Sequence, residues 1–220
     1  MTHYVVFDLE TAPDIEAAGR LLGLRTDVTD DAADVVGCPV KTSVSDPLQI
    51  AEVSPVEVPG VIGLTLCPGK KDPAGGWDRD LEIDVAIISD WRADVVVSLI
   101  ETREFELLGV TDLPNVVEEH GMRWMHLPIV DVSVPNQRFE NRWAINGADL
   151  RQVVRSGGRV LLHCRGGLGR AGMIAARLLV ELGMESGKAI QAVRRVRPGA
   201  IETIEQERHV LACWKIADRP

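Results

Sequence analysis

The chain has 220 residues and a formal net charge of −9, which argues against nonspecific binding to nucleic acid or to anionic lipid. No apolar run approaches the ~18 residues that a membrane span needs, and the first ten residues lack the basic start of a signal peptide. The four cysteines are scattered without metal-like pairs, which predicts a reducing, cytoplasmic location without a disulfide framework.

The N-terminal part of the chain differs in pattern from the rest. Residues 3–9 predict a strand and residues 14–24 a short amphipathic helix. From about residue 25 to 60 the periodicity is weak and the composition is first acidic, then rich in Pro, Ser and Val, which favours a linker or wrapping segment. We therefore predict an N-terminal appendage and linker at residues 1–57 and a second, folded region at residues 58–220.

Strands and helices alternate from residue 61 onward. Apolar runs predict strands at 61–66, 94–100, 122–129 and 159–164, and helical patterns predict helices at about 78–91, 103–120, 138–155, 169–183, 186–197 and 204–217. Ser186 is the candidate N-cap of the helix that ends before Pro198. This alternation predicts an α/β fold with a mostly parallel central sheet flanked by helices on both faces.

The segment "HCRGGLGRAG" (163–172) follows one predicted strand and opens a helix. A cysteine at the carboxyl end of a parallel strand points into the ligand crevice of such folds. The glycines after Cys164 let successive amides turn toward one centre, and the helix directs its positive end there. Arg170 can add a two-pronged contact to phosphate oxygens. This environment favours a thiolate aimed at phosphorus, and it needs no metal or other cofactor because the amides and Arg170 supply the positive charge.

Taken separately, a buried cysteine and a tight glycine turn are also common structural features. The whole pattern, His-Cys-x-x-Gly-x-x-Arg between a strand and a helix, favours the phosphate chemistry. The segment "VLLHCRGGLGRAGMIAARLL" resembles the signature of the cysteine-dependent protein tyrosine and dual-specificity phosphatases. The resemblance is closest to the kinase-associated phosphatase (cyclin-dependent kinase inhibitor 3) branch, and it extends over about residues 58–217 through "IGLTLCPGKK", "DVVVSLIE", "MHLPIVDVSVP" and "GAIETIEQ".

This resemblance implies roles for the residues of the motif. Cys164 would be the nucleophile, and His163 would orient the loop and help to keep the thiolate. The backbone amides and the arginine side chain of the loop would hold the phosphate. That loop comprises Arg165, Gly166, Gly167, Leu168, Gly169 and Arg170.

The family also supplies an aspartate upstream of the cysteine, and Asp131 in "PIVDVSVP" matches it as the general acid. Two positions depart from the family. Ala171 stands where the family has serine or threonine, and Glu202 stands where it has a water-positioning glutamine, while the second glutamine is retained as Gln206. These departures predict slow hydrolysis of the phospho-cysteine. For Gln206, a helix capping box with Thr203 is the alternative role.

The resemblance implies a phosphate-monoester hydrolase that acts through a phospho-cysteine on a phosphorylated protein. Two alternatives stay open: a phosphatase for a phosphoinositide or an RNA 5′-phosphate, and a pseudo-phosphatase that binds phosphate but turns over slowly. Residues 1–40 weakly resemble the start of a polymerase-B-type 3′-5′ exonuclease, in which Asp8 and Glu10 would share one face of a strand. That site is incomplete because the phosphatase-like segment occupies the place of the further acidic motifs. We expect no nucleic-acid or membrane partner.

Overall fold

The computed structural model describes residues 39–216, so the elements predicted within residues 3–24, with Asp8 and Glu10, lie outside the described residues. The strands are β1 (Ala51–Val53), β2 (Val61–Thr65), β3 (Lys71–Asp72), β4 (Trp77–Asp78), β5 (Val95–Ser98), β6 (Arg123–His126) and β7 (Arg159–His163). Five of them form one sheet in the order β1-β2-β7-β5-β6, and β3 pairs with β4 separately. In the main sheet β1 is antiparallel to β2 and the other neighbours are parallel.

Helices cover this sheet. They are α1 (Leu81–Asp90), α2 (Thr102–Leu107), α3 (Leu113–Glu119), α4 (Gln137–Arg155), α5 (Gly169–Glu181), α6 (Ser186–Val196) and α7 (Ile204–Leu211). All four residues of β5 are buried, and because successive side chains of a strand point to opposite faces, both faces of the sheet are covered. The predicted α/β fold with a mostly parallel sheet is confirmed. Between residues 39 and 216 no helix is both long enough and apolar enough to cross a membrane.

Part of the segment interpreted as a linker is tied to this sheet. β1 lies before residue 58, the expected start of the folded region, and pairs with β2. A buried ion pair anchors a second contact with this segment. Asp84 accepts hydrogen bonds from Arg79 Nε at 2.7 Å and from the amide of Gly69 at 2.8 Å. Arg79 in turn donates from Nη1 to the carbonyl of Asp46 at 2.7 Å. β1 has only three residues, which are too few for an alternating pattern to reveal a strand.

Two helix ends differ from the prediction. Ser186 is the first residue of α6 and not its N-cap; the carboxylate of Glu185 caps the helix instead, accepting from the amides of Gly187 and Lys188 at 2.8 and 2.9 Å. The last helix ends at Leu211 rather than near residue 217. The chain turns back there, and the amide of Ile216 donates to the carbonyl of Glu181 at 3.1 Å. A tertiary contact therefore replaces the further helical turn.

The strand register brings four carboxyl ends to one edge of the sheet. His163, the last residue of β7, lies opposite Thr65 of β2 and Ser98 of β5, and Ser98 lies opposite His126 of β6. In open α/β sheets the crevice beyond these ends is the usual ligand site. The residues that follow β5 and β7 therefore meet at this edge.

Candidate active site

The segment after β7 forms a tight loop around the sulfur of Cys164. This side chain is 3% exposed, and its Sγ accepts a hydrogen bond from the amide of Gly167 at 3.2 Å. Gly167 has a φ of +72°, and a Cβ there would lie 2.4 Å from the backbone carbonyl of Thr65. Only glycine fits at this position, and its conformation turns the amide toward the sulfur.

Arg170, at the start of α5, is held by a carboxylate that the sequence did not reveal. Its Nη1 and Nη2 donate to Glu104 Oε2 and Oε1 at 2.6 and 3.0 Å, and Nη1 also donates to the carbonyl of Ile129 at 3.2 Å. Arg170 is 1% exposed, and its Nε has no hydrogen-bond partner among the described residues. A buried donor without a partner is rare, so Nε is available to an incoming acceptor.

Glu104 is fixed from two sides. Its Oε2 accepts from the amide of Glu101 at 2.7 Å as well as from Arg170. Burial alone would raise the pKa of Glu104, but the hydrogen bonds from Arg170 and from the amide of Glu101 outweigh burial and hold the pKa below its usual value. Glu104 is therefore a charged carboxylate that orients the guanidinium group of Arg170.

Asp131 lies in the loop between β6 and α4, where it contacts the same arginine. Its Oδ1 is 2.8 Å from Arg170 Nη2, and the carboxylate also accepts from the amide of Val132 at 3.1 Å. Val132 has a φ of +57°, which is strained for a β-branched residue. Two nitrogens of Arg170 could bind phosphate oxygens, Nε and Nη2. The Asp131 carboxylate thus occupies Nη2, while Nε is left without a partner among the described residues.

His163 lies beneath the loop and is completely buried. Burial is the main cause that lowers its pKa to about 3, so the imidazole is neutral at physiological pH. Its Nε2 is 2.6 Å from Ser98 Oγ, which also accepts from Trp124 Nε1 at 2.8 Å. Because an indole can only donate, the hydroxyl hydrogen of Ser98 is free to bond to His163 Nε2. Three strands therefore fix the ring that precedes the nucleophile.

A second arginine supports the loop from outside. Arg197, after α6, donates from Nη2 to the carbonyl of Gly166 at 3.1 Å and from Nε to the carbonyl of Gly167 at 3.3 Å. Because the C=O and N–H groups of a planar trans peptide point in opposite directions, the bond to the carbonyl of Gly166 helps to fix the amide of Gly167, which donates to Cys164 Sγ. Arg165 points away from the loop and pairs with Asp72 at 2.9 Å. In this conformation only the backbone of Arg165, and not its side chain, can therefore contribute to phosphate binding by the loop.

Three further residues of the sequence prediction lie around the start of α5. Ala171 is fully buried. Glu202 lies against the loop, since a Cβ on Gly169 would be 2.2 Å from its Oε2. Gln206 accepts from the amide of Glu202 at 3.0 Å and donates to the carbonyl of Ser133 at 3.3 Å. Gln206 thus links the Glu202 segment to the loop that carries Asp131.

The capping alternative for Gln206 is only half correct. Thr203 Oγ1 accepts from the amide of Gln206 at 3.1 Å and caps α7. The side chain of Gln206 does not return to the amide of Thr203, because it bonds to Glu202 and to Ser133.

The structure brings Cys164, the amide of Gly167, Arg170 and Asp131 to one edge of the sheet. Three supports of this site were not evident from the sequence: Glu104, the pair Ser98 and Trp124, and the contacts of Arg197 with the loop carbonyls. A polar residue at the end of an otherwise apolar strand is the available signal for Ser98. For Glu104, a carboxylate three residues into a helix that follows a strand is too common a feature to single out.

Comparison with known proteins gives one consistent group. The sequence model described as "PTP-SAK: Swiss Army Knife protein, DSP-PTPase phosphatase domain" matches residues 93–210. Cyclin-dependent kinase inhibitor 3 of Rattus norvegicus is 33% identical over 168 residues, which cover 73% of this chain and 76% of the relative. Protein tyrosine phosphatase type IVA 2 of Mus musculus is 32% identical over 111 residues, covering 46% of this chain and 66% of the relative.

Solved structures agree with this group. The crystal structure of kinase associated phosphatase, with its catalytic-site cysteine substituted by serine, aligns with a TM-score of 0.67 and 25% identity. That alignment covers 74% of this chain and 92% of the other. Tk-PTP in its active form aligns with a TM-score of 0.53 and 28% identity over 68% of this chain and 88% of the other.

Proposed function

The chain belongs to the dual-specificity and tyrosine phosphatase family, and on that premise we propose that it hydrolyses phosphoprotein monoesters through a phospho-Cys164 intermediate. The observation that carries this proposal is the arrangement of hydrogen-bond donors around the sulfur of Cys164. A buried sulfur accepts the amide of Gly167 at 3.2 Å, and the buried Nε of Arg170 lacks a partner among the described residues. Both features suit a phosphate group and a thiolate nucleophile.

In the first step, the thiolate of Cys164 attacks phosphorus, so that an S–P bond forms and the P–O bond to the leaving group breaks. Loop amides and Arg170 hold the non-bridging oxygens, and Nε of Arg170 gains its missing acceptor. Asp131 gives its proton to the departing oxygen. For this, its carboxyl group has to leave the contact with Arg170 Nη2, which the phosphate then takes. Displacement of Asp131 by the substrate would therefore deliver the acid to the leaving group.

In the second step, water attacks phosphorus, the S–P bond breaks, and Cys164 leaves as a thiolate. The proton from the water passes to the Asp131 carboxylate, which restores the acid. Ala171 offers no hydroxyl to the departing thiolate. Glu202 places a carboxylate against Gly169, where the family has an amide that positions the water. We propose that this step limits turnover.

A phosphorylated protein is the substrate class that we propose, since the relative protein tyrosine phosphatase type IVA 2 is named for such a substrate. A cytoplasmic location is part of the proposal and rests on the scattered cysteines of the sequence. The common position of Cys164, Arg170 and Asp131 at the sheet edge supports the roles that we propose for them.

Cys164→Ser tests the covalent step. The rate of phosphate release from para-nitrophenyl phosphate should fall by at least about a thousandfold, as expected for the loss of a covalent nucleophile. Binding of inorganic phosphate, measured by calorimetry, should persist because the amides and Arg170 remain. Cys213→Ser is the matched control, since Cys213 is another free thiol and lies outside the loop. Activity of the Cys164 variant within tenfold of wild type would exclude the covalent mechanism.

A further inference from the structure

A basic cavity lies beside the candidate active site. It has a volume of about 360 Å³, and its walls include Thr102, Arg103, Val130, Asn136, Arg138 and Arg142. Glu101 is the one acidic residue among the described residues that line it, so the lining carries a formal charge of +2. The whole chain carries −9. We call this cavity the arginine pocket.

Part of the lining of the arginine pocket consists of chain neighbours of the groups that hold Arg170. Residues 101–103 directly precede Glu104, whose carboxylate accepts from Arg170 at 2.6 and 3.0 Å. Pro128 and Val130, which also line the pocket, flank Ile129, whose carbonyl accepts from Arg170 at 3.2 Å. Val130 also directly precedes Asp131. The pocket therefore adjoins the groups that hold Arg170, the arginine that we propose binds the phosphate of the substrate.

The arginines of the pocket are available to an anion. Arg138 is exposed in the first turn of α4 and forms no salt bridge with any residue between 39 and 216. Arg142 is half-buried and is steadied by one long hydrogen bond, 3.4 Å, from Nη1 to the carbonyl of His126. Arg103 contacts Glu101 at 3.2 Å, but its side chain is 74% exposed. Such an exposed pair contributes little and can open for a stronger partner.

From this position and charge we infer that the arginine pocket binds a second anionic group of a phosphopeptide substrate, either a carboxylate or a second phosphate near the scissile one. The planar guanidinium groups suit both, because each can make a two-pronged contact. The N-terminal end of the 19-residue helix α4 adds a weaker field of the same sign. The inference rests on the proposed function and gives it a substrate class: phosphoproteins with acidic or doubly phosphorylated sequences.

The test compares matched phosphotyrosine peptides whose neighbouring positions, on either side, are alanine, glutamate or phosphoserine. With the wild-type chain, we expect the best glutamate or phosphoserine peptide to exceed the alanine peptide in kcat/KM by about three- to tenfold, mainly through KM, as for partly exposed ion pairs. Arg138→Gln and Arg142→Gln should remove this preference. Para-nitrophenyl phosphate, which has no second anion, should change less than twofold.

Arg92→Gln is the matched control, because Arg92 is exposed and precedes β5 at the opposite edge of the sheet; its preference should match wild type. Equal kcat/KM for the alanine, glutamate and phosphoserine peptides on both sides would overturn the inference about the arginine pocket while leaving the phosphatase proposal intact. Loss of para-nitrophenyl phosphate hydrolysis in the Arg138 variant would overturn it too, by placing Arg138 in the catalytic step. If wild type hydrolyses a phosphoinositide with two phosphates but no phosphopeptide, both the protein substrate and this inference fail.

Discussion

Glu104→Gln removes the charge that orients Arg170 while keeping the shape of the side chain. In the wild type, Glu104 accepts three hydrogen bonds, two from Arg170 and one from the amide of Glu101. An amide in either orientation presents an NH2 group to at least one of these donors. The variant therefore loses at least one bond and the whole ion pair.

The cost follows from the burial of the pair. The side chains of Arg170 and Glu104 are 1% and 8% exposed. Removing one partner of a buried pair costs about 3–5 kcal/mol, and the contact of Asp131 with Arg170 at 2.8 Å moves the expectation to about 3 kcal/mol. A guanidinium group that shifts by about 1 Å loses its alignment with the phosphate, which we expect to lower kcat/KM about a hundredfold.

Two measurements separate stability from positioning. Urea unfolding gives the free-energy change, and hydrolysis of para-nitrophenyl phosphate under conditions where the variant is folded gives kcat/KM. Glu106→Gln is the matched control, since Glu106 is exposed on the same helix, α2. Glu104→Asp keeps the charge and should recover part of the rate. If Glu104→Gln keeps kcat/KM within threefold of wild type, Glu104 does not position Arg170.

Three further expectations concern the acid, the alanine and the histidine. Asp131→Asn should slow an alkyl phosphate more than an aryl phosphate and abolish the fall in rate at high pH; equal losses for both leaving groups would place the acid elsewhere. Ala171→Ser supplies a hydrogen bond to the departing thiolate, worth about 1.5–3 kcal/mol, so the steady rate should rise about ten- to a hundredfold. In rapid mixing with an aryl phosphate, wild type should release a burst of about one phenol per site, and Ala171→Ser should leave the rate of that burst nearly unchanged; a wild type without a burst, together with no gain in the serine variant, would contradict this. The pKa of His163 is lowered to about 3 in the folded chain, against about 6.5 in the unfolded chain. Its contribution to stability is thus complete above pH 6.5 and is lost as the pH falls toward 3. From pH 7.5 to 5 the free energy of unfolding should fall by about 2 kcal/mol through this group, and urea unfolding of His163→Asn should show a correspondingly smaller fall.

The loop around Cys164 could be predicted because the residues that shape it are close together in the sequence. Cys164, the glycines and Arg170 lie within seven consecutive positions, and a strand, a glycine turn and a helix start fix their relative directions. The apolar runs of β2, β5 and β7 likewise predicted strands buried on both faces, since their periodicity is a property of neighbouring residues. Asp131 was placed by resemblance to the family, and its contact with Arg170 agrees with that position.

What the sequence alone could not decide depends on residues far apart in the chain. Glu104 meets Arg170 across 66 positions and Ser98 meets His163 across 65, and periodicity carries no information about such pairs. Arg197 reaches the carbonyls of the loop only because α6 packs against α5. The edge strand β1 and the early end of α7 were also missed, because each is stabilised by partners elsewhere in the chain. The sequence by itself thus determined the strand, the glycine turn and the helix start around Cys164 and predicted their chemistry, and the tertiary structure decided which charges orient Arg170 and which cavity lies beside it.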